Sequence, residues 1–283
     1  MNKKYQFIIG FFLIFFSQYA TAGNDKNSLG AKAGGMGGAS VTNSDAFSIF
    51  ANQAGLARIN AFSAALYGEN RFLQSDLSLY SIGAALPVGG GAFGIGIQYF
   101  GTTDYNEKQL RIGYGRVLFE KLSLGIELDG ISIGMGEYGN KTAFTFGIGL
   151  LYDINTNFKV GAHIYNPLRL QITDQENDRL PMILKVGIAF EPSDKATVIL
   201  ETEKNMDKKF IVKAGVEYRI VEKLYIRGGF STNPGQSSLG VGVNLGAVKI
   251  DLSSSIHPAL GVTPMVSVSI NGKKKEKQTA PAQ

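Results

Sequence analysis

Alternation of apolar residues with small or polar ones runs through most of this chain and constrains its fold more than any other feature. In the stretch KTAFTFGIGLLYDI, which begins at residue 141, every second residue from Phe144 to Tyr152 is apolar, and the residues between are small or polar except Leu151. The stretches GAFGIGIQYF, KLSLGIELDG and FIVKAGVEYRI follow the same pattern. A period of two with one apolar face predicts β-strands. The fold class is therefore predicted to be all-β.

The connections between the alternating stretches show where such strands would lie. Short connections such as FEK and INTN alternate with longer ones such as GTTDYNE and HPALGVT. A soluble β-sandwich gives no reason for this alternation, whereas outer-membrane barrels have short periplasmic turns and longer outer loops. We therefore predict a transmembrane, antiparallel outer-membrane β-barrel of about 14 strands over residues 61–270, with both chain ends in the periplasm. The strands are predicted near 61–69, 76–86, 91–100, 107–118, 121–133, 141–153, 157–165, 181–190, 195–203, 208–219, 223–231, 237–245, 248–257 and 263–270.

The first 22 residues have the pattern of a secretory signal peptide. Lys3 and Lys4 precede the apolar run FIIGFFLIFF, and small residues at Ala20 and Ala22 form a cleavage site before Gly23. The alternative is a transmembrane anchor, but the apolar run is shorter than the roughly 20 residues that a spanning helix needs. We predict removal of residues 1–22 and export to the outer membrane of a Gram-negative-type bacterium.

The charge of the chain is concentrated at its two ends. Of 28 basic and 23 acidic residues, two lysines lie in the signal peptide, and four lysines and one glutamate lie in the tail KKKEKQTAPAQ. The intervening chain is therefore neutral and offers no basic surface for nucleic acid. We predict that residues 271–283 are a disordered, lysine-rich tail; the alternative is contact with an anionic periplasmic partner. The absence of cysteine excludes disulfides, thiolate metal sites and a cysteine-linked lipid anchor.

Residues 23–60 differ from the rest of the chain because they are rich in glycine and alanine and do not alternate. Phe47, Phe50, Ala51 and Ala54 form an apolar stripe at helical spacing, and Ile49 lies opposite to it. We predict a helix that starts at Ser44 or Asp45 and ends at Gly55. A short helix that is apolar on two sides favours an enclosed position. We therefore expect residues 23–60 to form a hatch inside the barrel rather than a disordered leader.

The strand faces predicted to point inward carry charges of both signs. Since neither sign dominates, we expect a self-neutralising, hydrated lumen without strong ion selectivity; the alternative is a polar path for a substrate. The candidate lumen-lining residues are Arg111, Glu127, Lys185, Glu201, Lys213, Glu217 and Arg227.

The segment between the signal peptide and the first strand resembles the hatch of the FadL-like long-chain fatty-acid transporter superfamily. It is more similar still to the PorV/PorQ-type barrels associated with type IX secretion. The likeness rests on GMGGA, Asp45-Ala46 and the run Asn52 to Leu56, in which Gln53 stands where the superfamily has proline. The resemblance implies fourteen strands and an N-terminal plug. The hatch-motif residues are Gly35, Met36, Gly37, Gly38, Asp45, Asn52 and Gly55.

The long connection from Asn166 to Leu180 supplies the candidate ligand contacts. Leu168, Leu170 and Ile172 alternate with polar residues, and Arg169 is suited to pair with a carboxylate. The alternative is that these aliphatic residues pack on the rim as a lid.

Two function classes follow from the resemblance. One is a plugged channel that binds and takes up small hydrophobic molecules, and the other is a non-enzymatic accessory barrel of a secretion system. No nucleophile elbow or metal-ligand spacing is present, so we expect no enzyme activity, no cofactor and no metal. The expected partners are outer-membrane lipids, the barrel-assembly machinery, and either a hydrophobic ligand or secretion-system proteins.

Overall fold

Fourteen strands form a single closed antiparallel barrel in the computed structural model, which describes residues 29–170 and 179–272. Each strand pairs with the next one in sequence, and the first pairs with the last. The strands are β1 (Ser63–Asn70), β2 (Ser78–Val88), β3 (Gly91–Gly101), β4 (Asn106–Phe119), β5 (Leu122–Gly134), β6 (Asn140–Asp153), β7 (Phe158–Tyr165), β8 (Ile183–Ser193), β9 (Ala196–Asn205), β10 (Ile211–Val221), β11 (Leu224–Ser231), β12 (Gln236–Asn244), β13 (Val248–His257) and β14 (Gly261–Asn271).

The predicted all-β fold is confirmed. Each of the fourteen predicted strands overlaps one observed strand, and no end differs by more than three residues. The predicted signal peptide and all but Asn271 and Gly272 of the predicted tail lie outside the described residues. Within residues 29–170 and 179–272, every helix is too short to cross a membrane.

The pairing of β5 with β6 shows why alternation closes this barrel. Ile126 lies opposite Ile148 and Leu128 opposite Phe146 on the outward face, where all four side chains are at least partly exposed. The inward face between them carries glycine, small polar and charged residues. Exposed aliphatic and aromatic residues continue in this way around the ring. An outward surface this apolar is stable against hydrocarbon rather than water.

The two rims of the barrel differ in their connections. Ser63 pairs with Asn271, so both ends of the barrel chain lie at the rim that carries the short turns, which we call the inner rim. The opposite, outer rim carries the longer connections. The three register irregularities of the wall, in β4–β5, β8–β9 and β10–β11, all lie close to the inner rim. The wall between the rims is therefore regularly paired.

Residues 29–60, the N-terminal segment, contain the helices α1 (Ala31–Gly35) and α2 (Ser48–Ala51) and a 3₁₀ helix (Gln53–Arg58). The single helix predicted from Ser44 or Asp45 to Gly55 is wrong. The chain is extended at Asn52 (φ −158°), where the Asn52 side chain accepts a hydrogen bond from the Ala54 N–H and so caps the 3₁₀ helix. Further 3₁₀ turns, Arg71–Leu73, Ser75–Leu77 and Gly136–Tyr138, lie in outer connections.

Candidate functional site

The N-terminal segment lies against the inward faces of the strands. Helix α1 contacts β11 to β14, helix α2 contacts β2 to β4, and the 3₁₀ helix contacts β3 to β6. Leu29, Phe47, Ile49 and Phe50 are buried in one apolar cluster with wall residues such as Leu79. The segment therefore occupies space that the side chains of a fourteen-stranded wall would leave unfilled.

Inward glycines of the wall allow the backbone of the segment to approach closely. A Cβ atom on Gly215 would lie 2.5 Å from Met36 Cβ, and one on Gly161 would lie 2.5 Å from the carbonyl oxygen of Val41. At Gly125, the Cβ would collide with the backbone of Gln53 and Ala54. Close backbone approach is a recurring reason for glycine within strands. Other wall glycines that meet the backbone of the segment are Gly83, Gly115, Gly149, Gly229 and Gly240. A further set meets side chains of the segment: Gly94, Gly96, Gly113 and Gly187.

The GMGG part of the predicted hatch motif forms the turn after α1. Gly37 (φ 71°) and Gly38 (φ 81°) are left-handed, and a Cβ on Gly37 would lie 2.6 Å from the Phe230 carbonyl oxygen. Gly35 passes close to the backbone of β12, and Met36 is fully buried beside Ile199. Glycine at position 37 is thus required both by backbone conformation and by space.

The remaining motif residues hold the second half of the segment. Asp45 Oδ1 accepts a hydrogen bond from the Phe47 N–H at 2.9 Å. Asn52 Nδ2 donates to the carbonyl oxygens of Val41 (2.7 Å) and Leu150 (3.0 Å), so it ties two parts of the segment to β6. A Cβ on Gly55 would collide with the Asn43 carbonyl oxygen.

The predicted lumen-lining residues form three buried ion-pair groups, and the first surrounds Arg111. Its guanidinium lies 3.5 Å from Asp129 Oδ2 and 3.9 Å from Glu127 Oε2. Arg111 Nη1 also donates to the Phe50 carbonyl oxygen at 3.0 Å. This group therefore joins β4 and β5 to the N-terminal segment.

The second group lies on β8, β9 and β10. Lys213 Nζ is 2.6 Å from Glu203 Oε2 and 3.3 Å from Glu201 Oε1, and Lys185 Nζ is 3.6 Å from Glu203. Glu201 Oε2 accepts hydrogen bonds at 2.7 Å from the N–H groups of Ser40 and Val41. A single wall carboxylate thus binds two successive amides of the segment.

The third group contains the one ion pair that connects a charged side chain of α1 to the wall. Arg227 bridges Glu217 and Asp251, and Lys32 Nζ lies 3.5 Å from Glu217 Oε1. Burial alone would lower the pKa of Lys32, but the carboxylates of Glu217 and Asp45 outweigh it, so this pKa is raised. Burial raises the pKa of Asp45, against the opposing effect of Lys32.

These contacts change the interpretation of the inward charges. All seven predicted lumen-lining side chains are buried, and the opposite charges are paired across neighbouring strands. The expected self-neutralisation is present, but the side chains face one another and the segment rather than a hydrated channel. Sequence reasoning missed Lys32, although it is the only charged residue between positions 30 and 44.

The predicted ligand contacts lie apart from these groups, at the outer rim. Leu168 is 67% exposed and Leu170 is 37% exposed. Arg169 Nη2 is bonded to Asp207 Oδ1 at 2.7 Å, an exposed ion pair that the sequence did not predict. Ile172 lies outside the described residues.

The end of this connection turns back into the barrel. Leu180 is buried against Ile131, Tyr165 and Ile183 at the outer end of the lumen. Asn166 holds the two ends of the connection together, because its side chain accepts from the Leu170 N–H and donates to the Leu180 carbonyl oxygen.

Comparisons with known proteins agree with this architecture. No protein-family model and no curated protein sequence matches the chain. Among solved structures, the toluene transporter TodX of Pseudomonas putida superposes with a TM-score of 0.66 at 13% identity, over 89% of this chain and 99% of TodX. The toluene transporter TbuX of Ralstonia pickettii gives 0.64 at 14% identity, over 87% and 98%. A Pseudomonas aeruginosa FadL homologue gives 0.61 at 12% identity, over 87% and 96%. The chain therefore has the fold of the FadL-type, fourteen-stranded outer-membrane barrels.

Proposed function

We propose that this protein is a plugged outer-membrane channel for the uptake of small hydrophobic molecules, and that the N-terminal segment is its hatch. The observation that carries the proposal is how this segment sits inside a closed barrel: it packs on inward glycines, its amides donate to the buried Glu201 carboxylate, and Lys32 pairs with Glu217. A wall shaped to accept a segment of the same chain indicates a lumen that is kept closed. The transport of toluene by TodX and TbuX supports hydrophobic molecules as the transported class.

The proposed location is the outer membrane, with the inner rim and both chain ends on the periplasmic side. The apolar outward face and the short turns at the inner rim support this orientation. Lipids and the barrel-assembly machinery are the corresponding proposed partners. The solved structures compared above give no support to the secretion-accessory alternative, and the binding measurement below separates it from uptake.

Uptake is tested by expressing the chain in Gram-negative cells that lack their own transporter and by measuring radiolabelled toluene and radiolabelled oleate in the cells. We expect faster accumulation of at least one probe than in cells with an empty vector, together with saturable binding to the purified protein. Assembly is checked by gel migration, because a folded barrel migrates differently before and after boiling. An assembled protein that neither binds nor takes up either probe would contradict the proposed uptake function and favour the secretion-accessory alternative.

The Arg169–Asp207 pair gives a prediction about ligand charge. If Arg169 binds a ligand carboxylate, Asp207 competes with that ligand for the guanidinium. We expect Arg169→Gln to weaken binding of oleate but not of toluene, and Asp207→Asn to strengthen oleate binding. The changes should be of severalfold size, since an exposed ion pair contributes about 0–1 kcal/mol. Equal effects of either substitution on both probes would exclude a carboxylate contact at Arg169.

A further inference from the structure

A cavity of about 390 Å³ lies at the inner rim between the N-terminal segment and strands β13, β14 and β1. Basic side chains outnumber acidic ones in its lining, which contains Lys32, Arg58, Lys249, Asp45 and Asp251. Arg58 is held by Asp153 at 2.6 Å. Lys32 of α1 and Lys249 of β13 are therefore the two basic groups that set the character of the cavity.

Lys32 and Lys249 share their carboxylate partners with a third cation, Arg227. Arg227 Nε lies 2.5 Å from Glu217 Oε2, and its Nη1 lies 2.8 Å from Asp251 Oδ1. The lysine contacts are longer: Lys32 Nζ is 3.5 Å from Glu217 Oε1, and Lys249 Nζ is 3.8 Å from Asp251 Oδ1. Both distances exceed those of well-formed N–H···O hydrogen bonds. Three cations thus share two carboxylates, and the lysines are the weakly held ones.

The positive charge of this group is also the accessible part of it. The side chains of Lys32 and Lys249 are 28% and 21% exposed, whereas those of Glu217 and Asp251 are 10% and 6% exposed. Asp45, the other acidic residue of the lining, is already engaged, because its Oδ1 accepts from the Phe47 N–H at 2.9 Å. The ammonium groups therefore lie toward the cavity, with Glu217 and Asp251 buried behind them.

The end of the barrel chain brings further positive charge to the same place. Asn271 and Gly272 line the cavity, and the Gly272 N–H donates to the Phe62 carbonyl oxygen at 2.7 Å. From Gly272 the sequence continues as KKKEKQTAPAQ, which contains four lysines and one glutamate. Four lysines thus follow within five residues of the edge of the cavity.

The short turns of the inner rim carry no such excess. Three of the six turns contain one acidic and one basic residue side by side: Glu120-Lys121, Asp194-Lys195 and Glu222-Lys223. The other three turns, after β2, β6 and β12, contain no charged residue. The excess of basic residues is therefore a property of the cavity and of the tail that starts beside it, and not of the turns.

We propose that the cavity and the lysine-rich tail together dock an acidic segment of a periplasmic protein, with one carboxylate bound between Lys32 and Lys249. Complementary charge of this kind gives a contact its specificity and its association rate. Phosphate groups of the membrane fit the site less well, because lipid headgroups surround the outward face, whereas the cavity is lined by inward side chains. The inference rests on the proposed periplasmic orientation of the inner rim, but not on which molecule the barrel takes up.

The docking site is tested with fluorescein-labelled hexaglutamate and the full chain in phosphatidylcholine nanodiscs, by fluorescence anisotropy. We expect saturable binding that weakens as the NaCl concentration is raised, because salt screens exposed charges. Lys249→Gln should lower the affinity severalfold. Combined replacement of Lys273, Lys274, Lys275 and Lys277 by glutamine should do the same and leaves the barrel sequence unchanged.

The matched control is Lys223→Gln, which removes a lysine from an inner turn beside Glu222 and should keep the wild-type affinity. Absence of saturable binding to the assembled wild-type protein would overturn the proposal, as would equal losses in Lys223→Gln and Lys249→Gln. If Lys249→Gln does not assemble, the tail variant decides, and unchanged affinity in it would overturn the shared site.

A competition measurement separates a protein partner from a lipid. At matched ionic strength, unlabelled hexaglutamate should displace the probe, and the soluble lipid dihexanoyl phosphatidylglycerol should not. Equal displacement by both would assign the site to lipid headgroups and overturn the proposal. The uptake measurements with toluene and oleate contain no peptide, so failure of peptide binding and failure of uptake are separate results.

Discussion

Deletion of residues 30–57 is expected to give an assembled barrel whose single-channel conductance is severalfold higher than that of the intact chain. The wall closes through pairing between its own strands, so it does not require the segment for its topology. Its inward charges are also paired within the wall, as in Arg227 with Glu217 and Asp251. Once the segment is removed, water replaces it along the inward glycines and opens an aqueous path. Conductance is measured in planar bilayers.

Assembly of the deletion variant is established first, by gel migration before and after boiling. Glu191→Ala is the control, because Glu191 lies at the inner rim and its removal leaves the segment intact. Its conductance should equal that of the wild-type protein. An assembled deletion variant with wild-type conductance would show that the segment does not limit passage through the barrel and would contradict its role as a hatch.

Replacement of Glu201 by alanine is expected to destabilise the protein by about 3–5 kcal/mol, the cost of removing one partner from a buried ion pair. Glu201 is fully buried, accepts hydrogen bonds from the Ser40 and Val41 amides, and lies 3.3 Å from Lys213 Nζ. Its loss leaves two buried N–H groups without their acceptor and weakens the compensation of a buried lysine. The free energy of unfolding is measured by urea denaturation in lipid vesicles.

The control for Glu201→Ala is again Glu191→Ala. The Glu191 side chain is 44% exposed, and its carboxylate lies 3.6 Å from Lys159 Nζ. An exposed pair of this kind contributes about 0–1 kcal/mol. Similar losses at both positions would contradict the assignment of Glu201 as an anchor of the segment.

A double-mutant cycle links these two predictions. In the variant that lacks residues 30–57, Lys213 is hydrated and the amides of Ser40 and Val41 are absent. Glu201→Ala should therefore cost much less in that background than in the intact chain. An equal cost in both backgrounds would mean that Glu201 acts within the wall and not through the segment.

The interior of the barrel combines two kinds of contact with different consequences for motion. At most of the inward glycines, the segment packs so closely that a Cβ atom added to the wall would collide with it. Shape complementarity therefore holds the segment over most of the ring. Buried charged side chains of the wall hold it by hydrogen bonds, because any displacement would separate Glu201 from the Val41 amide and Arg111 from the Phe50 carbonyl oxygen. At the sector of β13, β14 and β1, a cavity lies between the segment and the wall near the inner rim, and its lining includes Lys32, Lys249 and Asp251. Movement of the segment is therefore expected to begin in that sector.

The sequence by itself determined the barrel. Alternation with a period of two places every second side chain of a strand on the lipid-facing side. Shifting a strand's register by one residue would put its charged residues into hydrocarbon. The positions and the number of the strands therefore follow from a local sequence pattern. The alternation of short and long connections likewise determined which rim carries the chain ends.

Only the tertiary structure decided how the interior is filled. The break at Asn52 depends on hydrogen bonds to Val41 and Leu150, which are distant in sequence, so helical spacing alone predicted one continuous helix. Arg169 was predicted to be available for a ligand, but its partner Asp207 lies on another connection. The sequence assigned the inward charged residues to a strand face but not to their partners. Pairing across strands depends on the strand register, and pairing with the N-terminal segment depends on the path of a segment whose sequence has no periodic pattern. Contacts of this kind join residues far apart along the chain, and no local pattern encodes them.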